Sequence, residues 1–300
     1  MKVVFIFIDG FGLGREEVQI NPLYSANIPN IRKMMAEYIV IPTDTTLGVE
    51  GLPQSATGQT AILTGINAPQ VLGRHLHGQP TITLKKLLYK HSLFKILKEM
   101  NVKVTNANVY REQYLQQINN PKSRKLRPSA STVACMAAGI TFRTVEDLKH
   151  GRGIYHDIIN KILIESGYEV SLIEPESAAQ ILFNISQEYD FTFFEYFMTD
   201  IIGHKQEREK SEEVLEILDR FLGKLDKIID YTNTLLVITS DHGNIEDLSV
   251  KTHTFNKVPT IVHGKCAEIF VEGITSLVDI SPAIIRVFSL ALTDYERRIF

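Results

Sequence analysis

Three apolar runs rich in β-branched and aromatic residues, at 2–8, 191–198 and 234–238, each give way within three residues to an aspartate: Asp9, Asp200 and Asp241. Runs of this length closed by Asp-Gly, Thr-Asp or Ser-Asp-His-Gly read as buried strands ending in turns. Between the last two lies one helix face, Val214, Ile217, Leu218, Phe221, Leu222, Leu225, Ile228 and Ile229, with Ser211 as its expected N-cap. Strand, helix, strand in that order calls for parallel pairing with a crossover, and hence for helices on both faces of the sheet. The fold class that follows is α/β with a mostly parallel sheet.

The same reading predicts helices at 30–38, 93–100 and 175–188, and strands at 102–109 and 168–173. Residues 38–41 form a short apolar piece. Between 111 and 167 the alternation breaks down into a basic patch (Lys122, Arg124, Lys125, Arg127), an Ala-rich piece and a helical-looking stretch at 155–166. We therefore expect a core of residues 1–110 and 168–300 with an inserted lid or substrate subdomain at 111–167. Apolar content of 44% and charged content of 22% are ordinary for a globular chain of 300 residues. The balance of 32 basic and 35 acidic residues, a formal charge of −3, gives no reason to expect a nucleic-acid partner. Cys135 and Cys266 form no Cys-x-x-Cys pair, so the expected compartment is a reducing cytoplasm. The first apolar run stops at Asp9, well short of a signal or membrane segment.

In an open parallel sheet, ligands bind beyond the carboxyl ends of the strands. The three terminal aspartates would meet there. Two travel with histidines, in Asp200-Ile-Ile-Gly-His204 and Asp241-His242, and His253 follows within Thr-His253-Thr-Phe-Asn256-Lys-Val-Pro259. Six oxygen and nitrogen donors without a thiolate suit Zn²⁺ or Mn²⁺ better than Ca²⁺, and are about right for two ions. Asp-Gly and Asp-His-Gly also form ordinary turns, so each motif alone says little. A further stretch, 51–65, begins as a Gly/Pro-broken loop and ends as a compact apolar run. It carries three hydroxyls, Ser55, Thr57 and Thr60, at what reads as a helix N-terminus, where unpaired N–H groups favour an anion. By contrast, Gly10-Phe-Gly12-Leu-Gly14 fails as a dinucleotide fingerprint, because its third glycine comes one residue early and no helix starts there.

Together, Phe7-Ile8-Asp9-Gly10, Asp200-x-x-Gly-His204, Thr239-Ser240-Asp241-His242-Gly243-Asn244 and His253-Thr254-x-Asn256-x-Val-Pro259 resemble the metalloenzyme branch of the alkaline phosphatase superfamily. That branch includes cofactor-independent phosphoglycerate mutase and phosphopentomutase. The resemblance implies two divalent ions, Mn²⁺ or Zn²⁺. One would be held by Asp9, Asp241, His242 and the nucleophile, the other by Asp200, His204 and His253. It also selects among the hydroxyls. The mutases place the nucleophile three residues before a Gly-His pair, and sulfatase relatives place it ten before the Gly of a Thr-Gly. Both spacings reach Ser55, with Thr57 in reserve, although Gln59 stands where the mutases carry His.

The expected activity is phosphoryl transfer from a small phosphate ester through a phosphoserine at Ser55, foremost as a phosphatase or phosphodiesterase. A phosphomutase of a sugar phosphate or phosphoglycerate is the alternative. A catalytically inactive metal-binding or interaction protein is the reading from another class. Candidate substrate contacts are Gln59, Arg74, His75, His77, Arg111, Arg127 and Arg152, with Arg124 beside them in the basic patch.

Overall fold

The protein is described by a computed structural model covering residues 1–118 and 127–299, with side chains to residue 291. Lys122, Arg124 and Lys125 lie outside the described residues. Eight strands follow in chain order among them: β1 (Lys2–Ile8), β2 (Ile39–Thr43), β3 (Val104–Asn106), β4 (Val109–Tyr110), β5 (Arg143–Thr144), β6 (Phe191–Tyr196), β7 (Thr234–Thr239) and β8 (Val258–Gly264). Six of them form one sheet in the order β2-β8-β7-β1-β6-β3. The four strands β3, β6, β1 and β7 are parallel, whereas β8 runs antiparallel to both β7 and β2. β4 and β5 pair as a small separate ribbon.

The sheet is covered on both faces, which is why its central strands are apolar at nearly every position rather than at alternate ones. Val3, Phe5 and Phe7 of β1 point to one face, under helices Ser55–Thr64, Leu93–Glu99 and Ala130–Ala137. Val4, Ile6 and Ile8 point to the other, under Pro29–Glu37, Pro175–Glu188 and Arg208–Ile228. The Arg208–Ile228 helix is tied down at two polar points. Asp219 accepts from Ile31 N at 2.7 Å, and Tyr196 Oη donates to Val214 O at 2.8 Å.

Several sequence expectations need correction. The 102–109 strand is interrupted because the Asn106 side chain accepts from Asn108 N, turning the chain out of the main sheet. Residues 168–173 form no strand. Tyr168, Val170 and Ile173 pack instead with residues of the 154–163 region while Leu172 is exposed, and Ile173 N donates to Ile159 O. The 155–166 stretch is helical only over Lys161–Glu165, since Ile158 and Asn160 adopt positive φ just before it. Ser211 does not cap its helix. It lies inside the first turns and donates to Glu207 O, with Glu207 at the N-cap position. Within 111–167, Ala130–Ala137 belongs to the main core, while Val145, Leu148, Tyr155 and Leu163 form a small cluster of their own with Val109. Among the described residues, no helix is long and apolar enough to cross a membrane.

Candidate functional site

Because β7, β1 and β6 are adjacent and parallel, the residues following them emerge at one edge of the sheet. Asp9 follows β1 directly and Asp241 follows β7 by two residues. Asp200 sits four residues beyond β6, on the short helix Met198–Gly203, rather than at a strand tip as the sequence suggested. That helix places Asp200 and His204 one turn apart, with His204 Nε2 3.4 Å from Asp200 Oδ1. Close packing draws the pieces together at two glycines. A Cβ on Gly10 would meet Asp200 Cβ at 2.9 Å, and one on Gly58 would meet the Asp241 carbonyl oxygen at 2.9 Å.

Ser55 is the first residue of helix Ser55–Thr64. Its Oγ lies 2.9 Å from His242 Nε2, which is in turn 3.3 Å from Asp9 Oδ1 and 3.5 Å from Asp241 Oδ2. The other hydroxyls are turned away: Thr57 donates to Gln54 O and Thr60 to Ala56 O. His253 Nε2 lies 3.4 Å from Asp200 Oδ1 and 3.2 Å from His204 Nε2, and its ring stacks on His242 at 3.6 Å. Asn244 holds Asp200 from the side, donating to Oδ1 at 2.7 Å.

Two features of this cluster fit a cation. First, Asp9 Oδ1 and Asp241 Oδ2 are buried without any hydrogen-bond partner, an arrangement that costs energy unless a positive charge compensates it. Second, His253 Nδ1 lies 2.8 Å from Pro53 O and His204 Nδ1 2.7 Å from Lys251 O. A carbonyl only accepts, so both Nδ1 atoms carry a proton and both Nε2 atoms turn toward each other and toward Asp200 Oδ1, where each ring either donates an N–H to the carboxylate or offers a lone pair to a metal ion. The donor atoms gather in two groups, Asp200 with His204 and His253, and Asp9 with Asp200 and His242; within each group they are no more than 4.8 Å apart.

The electrostatics divide along the same line. Burial, with Asp241 and Asp200 nearby, holds the Asp9 carboxyl well above its ordinary range. Burial and then Asp200 push Asp241 up to about 7. Burial and then His253 bring His242 down to about 3. Asp200 goes the other way: burial opposes its ionisation, but hydrogen bonds from His204 and His253 hold it well below the usual carboxylate range. The same contact with Asp200 raises His204.

A cavity of about 390 Å³ opens over the cluster, lined by Asp9, Ser55 and Asp200 and by residues reaching from the opposite side. Of the candidate substrate contacts, Gln59, His77 and Arg111 line it. Gln59 also donates to Asp9 Oδ2 at 3.2 Å, so its amide is engaged with a carboxylate. Arg74, His75, Arg127 and Arg152 are not among the lining residues. His75 turns back toward the Thr46 and Val49 carbonyls, and Arg152 pairs with Asp147 at 3.1 Å. The sequence reading missed Glu195, Tyr110, Tyr155, His156 and Phe197 on the cavity wall. Of these only Glu195 carried a signal, as an acid inside an apolar strand.

A model of the Metalloenzyme superfamily matches residues 1–292. The chain belongs to the Metalloenzyme superfamily. A relative named 2,3-bisphosphoglycerate-independent phosphoglycerate mutase, from Ehrlichia ruminantium, is 32% identical over 111 residues. That match spans 35% of this chain and only 22% of the relative's length. Among solved structures, alkaline phosphatase from the Antarctic bacterium TAB5 superposes with a TM-score of 0.58 at 15% identity, covering 95% of this chain and 97% of that one. Leishmania mexicana phosphoglycerate mutase gives a TM-score of 0.59 at 10% identity, covering 95% of each chain. These two likenesses establish the alkaline-phosphatase-like α/β fold that the motifs implied, and at such identities they speak to the fold alone.

Proposed function

We propose that this Metalloenzyme-superfamily protein transfers the phosphoryl group of a small phosphate ester to Ser55 and from there to water, acting as a metal-dependent phosphatase or phosphodiesterase. The observation that carries this reading is Ser55 Oγ at a helix N-terminus, 2.9 Å from His242 Nε2, on the floor of an open cavity. Asp9, Asp241, His242 and Ser55 would hold one divalent ion, and Asp200, His204 and His253 a second; Asp200 faces both groups. Bound there, such ions neutralise the substrate phosphate and lower the pKa of a hydroxyl near them.

The chain's own groups do the rest. The helix N-terminus directs unpaired N–H groups toward the phosphate oxygens. Ser55 loses its proton and forms the new P–O bond as the bond to the leaving oxygen breaks, and that oxygen takes up a proton. Water then displaces Ser55 from phosphorus, one of its protons returning to the serine oxygen, and releases inorganic phosphate from a monoester or a phosphate monoester from a diester. The Nδ1 hydrogen bonds of His204 and His253 keep both rings oriented through the cycle.

A phosphomutase, returning the phosphoryl group to another oxygen of the same substrate, is the second reading. It is favoured by the relatives named phosphoglycerate mutase, of whose length the chain matches 22% in the Ehrlichia ruminantium protein and 58% in the Pyrococcus abyssi one. One experiment addresses both. Protein loaded with Mn²⁺ or Zn²⁺ is quenched during turnover of a phosphate ester, and its peptides are mapped by mass spectrometry. We expect one phosphoryl group on Ser55, free phosphate in solution, and a loss of about a thousandfold or more in kcat for Ser55→Ala. Phosphate on Thr57 or Thr60 would sink the assignment, and isomerised ester without phosphate release would favour the mutase.

A further inference from the structure

The cavity wall carries a carboxyl group that this chemistry does not use. Glu195 lies in β6 beside the apolar and aromatic Phe193, Phe194 and Tyr196, is only 7% exposed, and lines the same cavity as Ser55. Its backbone is clamped on both sides by one side chain: Asn108 Nδ2 donates to Glu195 O and Glu195 N donates to Asn108 Oδ1, each at 2.8 Å. Among the described residues a single side chain donates to the carboxyl itself, Ser131 Oγ to Oε2. A carboxylate accepts at about four lone-pair positions. A purely structural carboxyl at this depth would be expected to have them filled. This one is rigidly placed, faces a cavity and keeps acceptor capacity in reserve.

The surroundings define what would use that capacity. His156 stacks on Phe197 with ring centroids 4.0 Å apart, and Tyr155 lies 4.1 Å from His156. All three line the cavity. His156 Nδ1 is buried with no hydrogen-bond partner. Burial, with Arg111 adding to it, brings this imidazole down to about 3 and keeps it neutral. Beside the hydroxyl-bearing Tyr110, Tyr114, Tyr155, Ser129 and Thr132, the wall thus offers a buried carboxyl, a guanidinium, an unused ring nitrogen and an aromatic surface. Glu195 is buried and Arg111 exposed, so a ligand carboxylate beside Glu195 meets a charge that water screens little, and the guanidinium offsets it only in part. A group bearing hydroxyls meets no such repulsion: its O–H donates to the carboxyl and its C–H face lies on aromatic rings.

We infer that Glu195 selects the leaving group of the proposed reaction, accepting a hydroxyl of a hydroxylated organic group and disfavouring esters that carry a carboxylate. The inference rests on the phosphoryl-transfer reading of the same cavity. It sets this chain apart from the relatives named phosphoglycerate mutase, whose named substrate bears a carboxylate.

Glycerol 1-phosphate and 3-phosphoglycerate are suitable probes, since they differ at one end by a hydroxymethyl group against a carboxylate. p-Nitrophenyl phosphate, with neither, is the reference. At pH 8, where the Glu195 carboxyl is ionised, we expect the metal-loaded wild type to favour glycerol 1-phosphate over 3-phosphoglycerate in kcat/KM. Glu195→Gln should lower that ratio by ~10-fold or more, on the scale of one hydrogen bond to a charged group, while leaving p-nitrophenyl phosphate turnover within ~3-fold. An unchanged ratio, or an equal loss on all three esters, overturns the proposal. Binding of the two probes, followed by ligand-observed NMR, needs no turnover and separates the failures. Discrimination in binding without turnover of any ester retains the role of Glu195 and removes the phosphoryl-transfer reading. Turnover without discrimination does the reverse, and neither overturns both.

Discussion

At the sheet end, Asp9 and Asp241 follow two neighbouring parallel strands within two residues, and Asp200 is carried by the short helix Met198–Gly203 after a third. The opposite wall of the cavity is assembled differently. Tyr110 belongs to the two-residue strand β4, Arg111 follows it, and Tyr155 and His156 come from an irregular stretch. The cluster concentrates carboxyls and leaves two of their oxygens buried without partners. The wall spreads its polar groups among rings and, among the described residues lining it, has one buried carboxyl, Glu195, which β6 contributes from the cluster's side of the seam. The difference separates two tasks. A substitution that disturbs the cluster should weaken turnover of every ester alike, and one in the wall should change which ester is preferred.

The largest expected effect comes from the group that joins the cluster loops. Glu246 is 1% exposed and accepts from Gly12 N at 3.1 Å, Asn244 N at 2.7 Å, Thr254 Oγ1 at 2.5 Å and Asn256 Nδ2 at 3.0 Å. These donors lie on the three loops that carry Asp9, Asp241-His242 and His253. Glu246→Ala strands all four, so we expect a stability loss of about 3–5 kcal/mol in urea unfolding. Metal affinity should fall ~10–100-fold by titration, as for other groups that hold ligands in place. A variant that loses stability but keeps its metal affinity would break the link between these loops and the donors.

Much of this cluster was legible in the sequence, and most of the wall was not. Asp9, Asp200-x-x-Gly-His204, Asp241-His242 and His253 stand out because strand ends and turn residues leave local marks. Ser55 was reached through spacing, and the structure adds that Thr57 and Thr60 are already bonded to helix carbonyls. The wall depends on long-range packing. Nothing near Tyr155-His156 in sequence foretells that His156 stacks on Phe197, forty-one positions along the chain. Similarly, β8 was hidden because Pro259 and the His253 motif disguised an antiparallel strand. The failed strand at 168–173 shows the reverse error: an apolar, β-prone run found a helix and loop to cover it instead of a sheet edge.

Glu195 offers a sharper test of which side of the seam it serves. Burial lifts its carboxyl to about 7 from an unfolded value near 4.5, with Ser131 partly offsetting the shift. A carboxyl raised in the folded state binds its proton more tightly there. Its penalty is therefore absent below the unfolded pKa and complete once pH exceeds about 7. Wild-type stability should gain up to about 3 kcal/mol from this group as pH falls from 8 toward 4.5. Glu195→Gln should lack that gain. Unfolding free energies of the two proteins at pH 5 and pH 8 provide the measurement, and parallel profiles would show that the carboxyl is better solvated than its burial implies.

The smallest effect concerns Arg111, an exposed guanidinium on the cavity wall. An exposed charge is screened by water and salt, so its contribution to holding a phosphate ester should be modest and nearly equal in ground and transition states. Arg111→Ala should raise KM ~3–10-fold with kcat nearly unchanged, because uniform binding is lost rather than stabilisation of the transition state. The same substitution has a second readout inside the wall. Arg111 is the lesser of two causes that lower His156, burial being the larger. Removing the guanidinium should move the His156 titration upward in an NMR experiment, yet leave it below the ordinary histidine value of 6.5. A fall in kcat equal to the loss in kcat/KM would instead place Arg111 with the cluster and redraw the division between chemistry and selection.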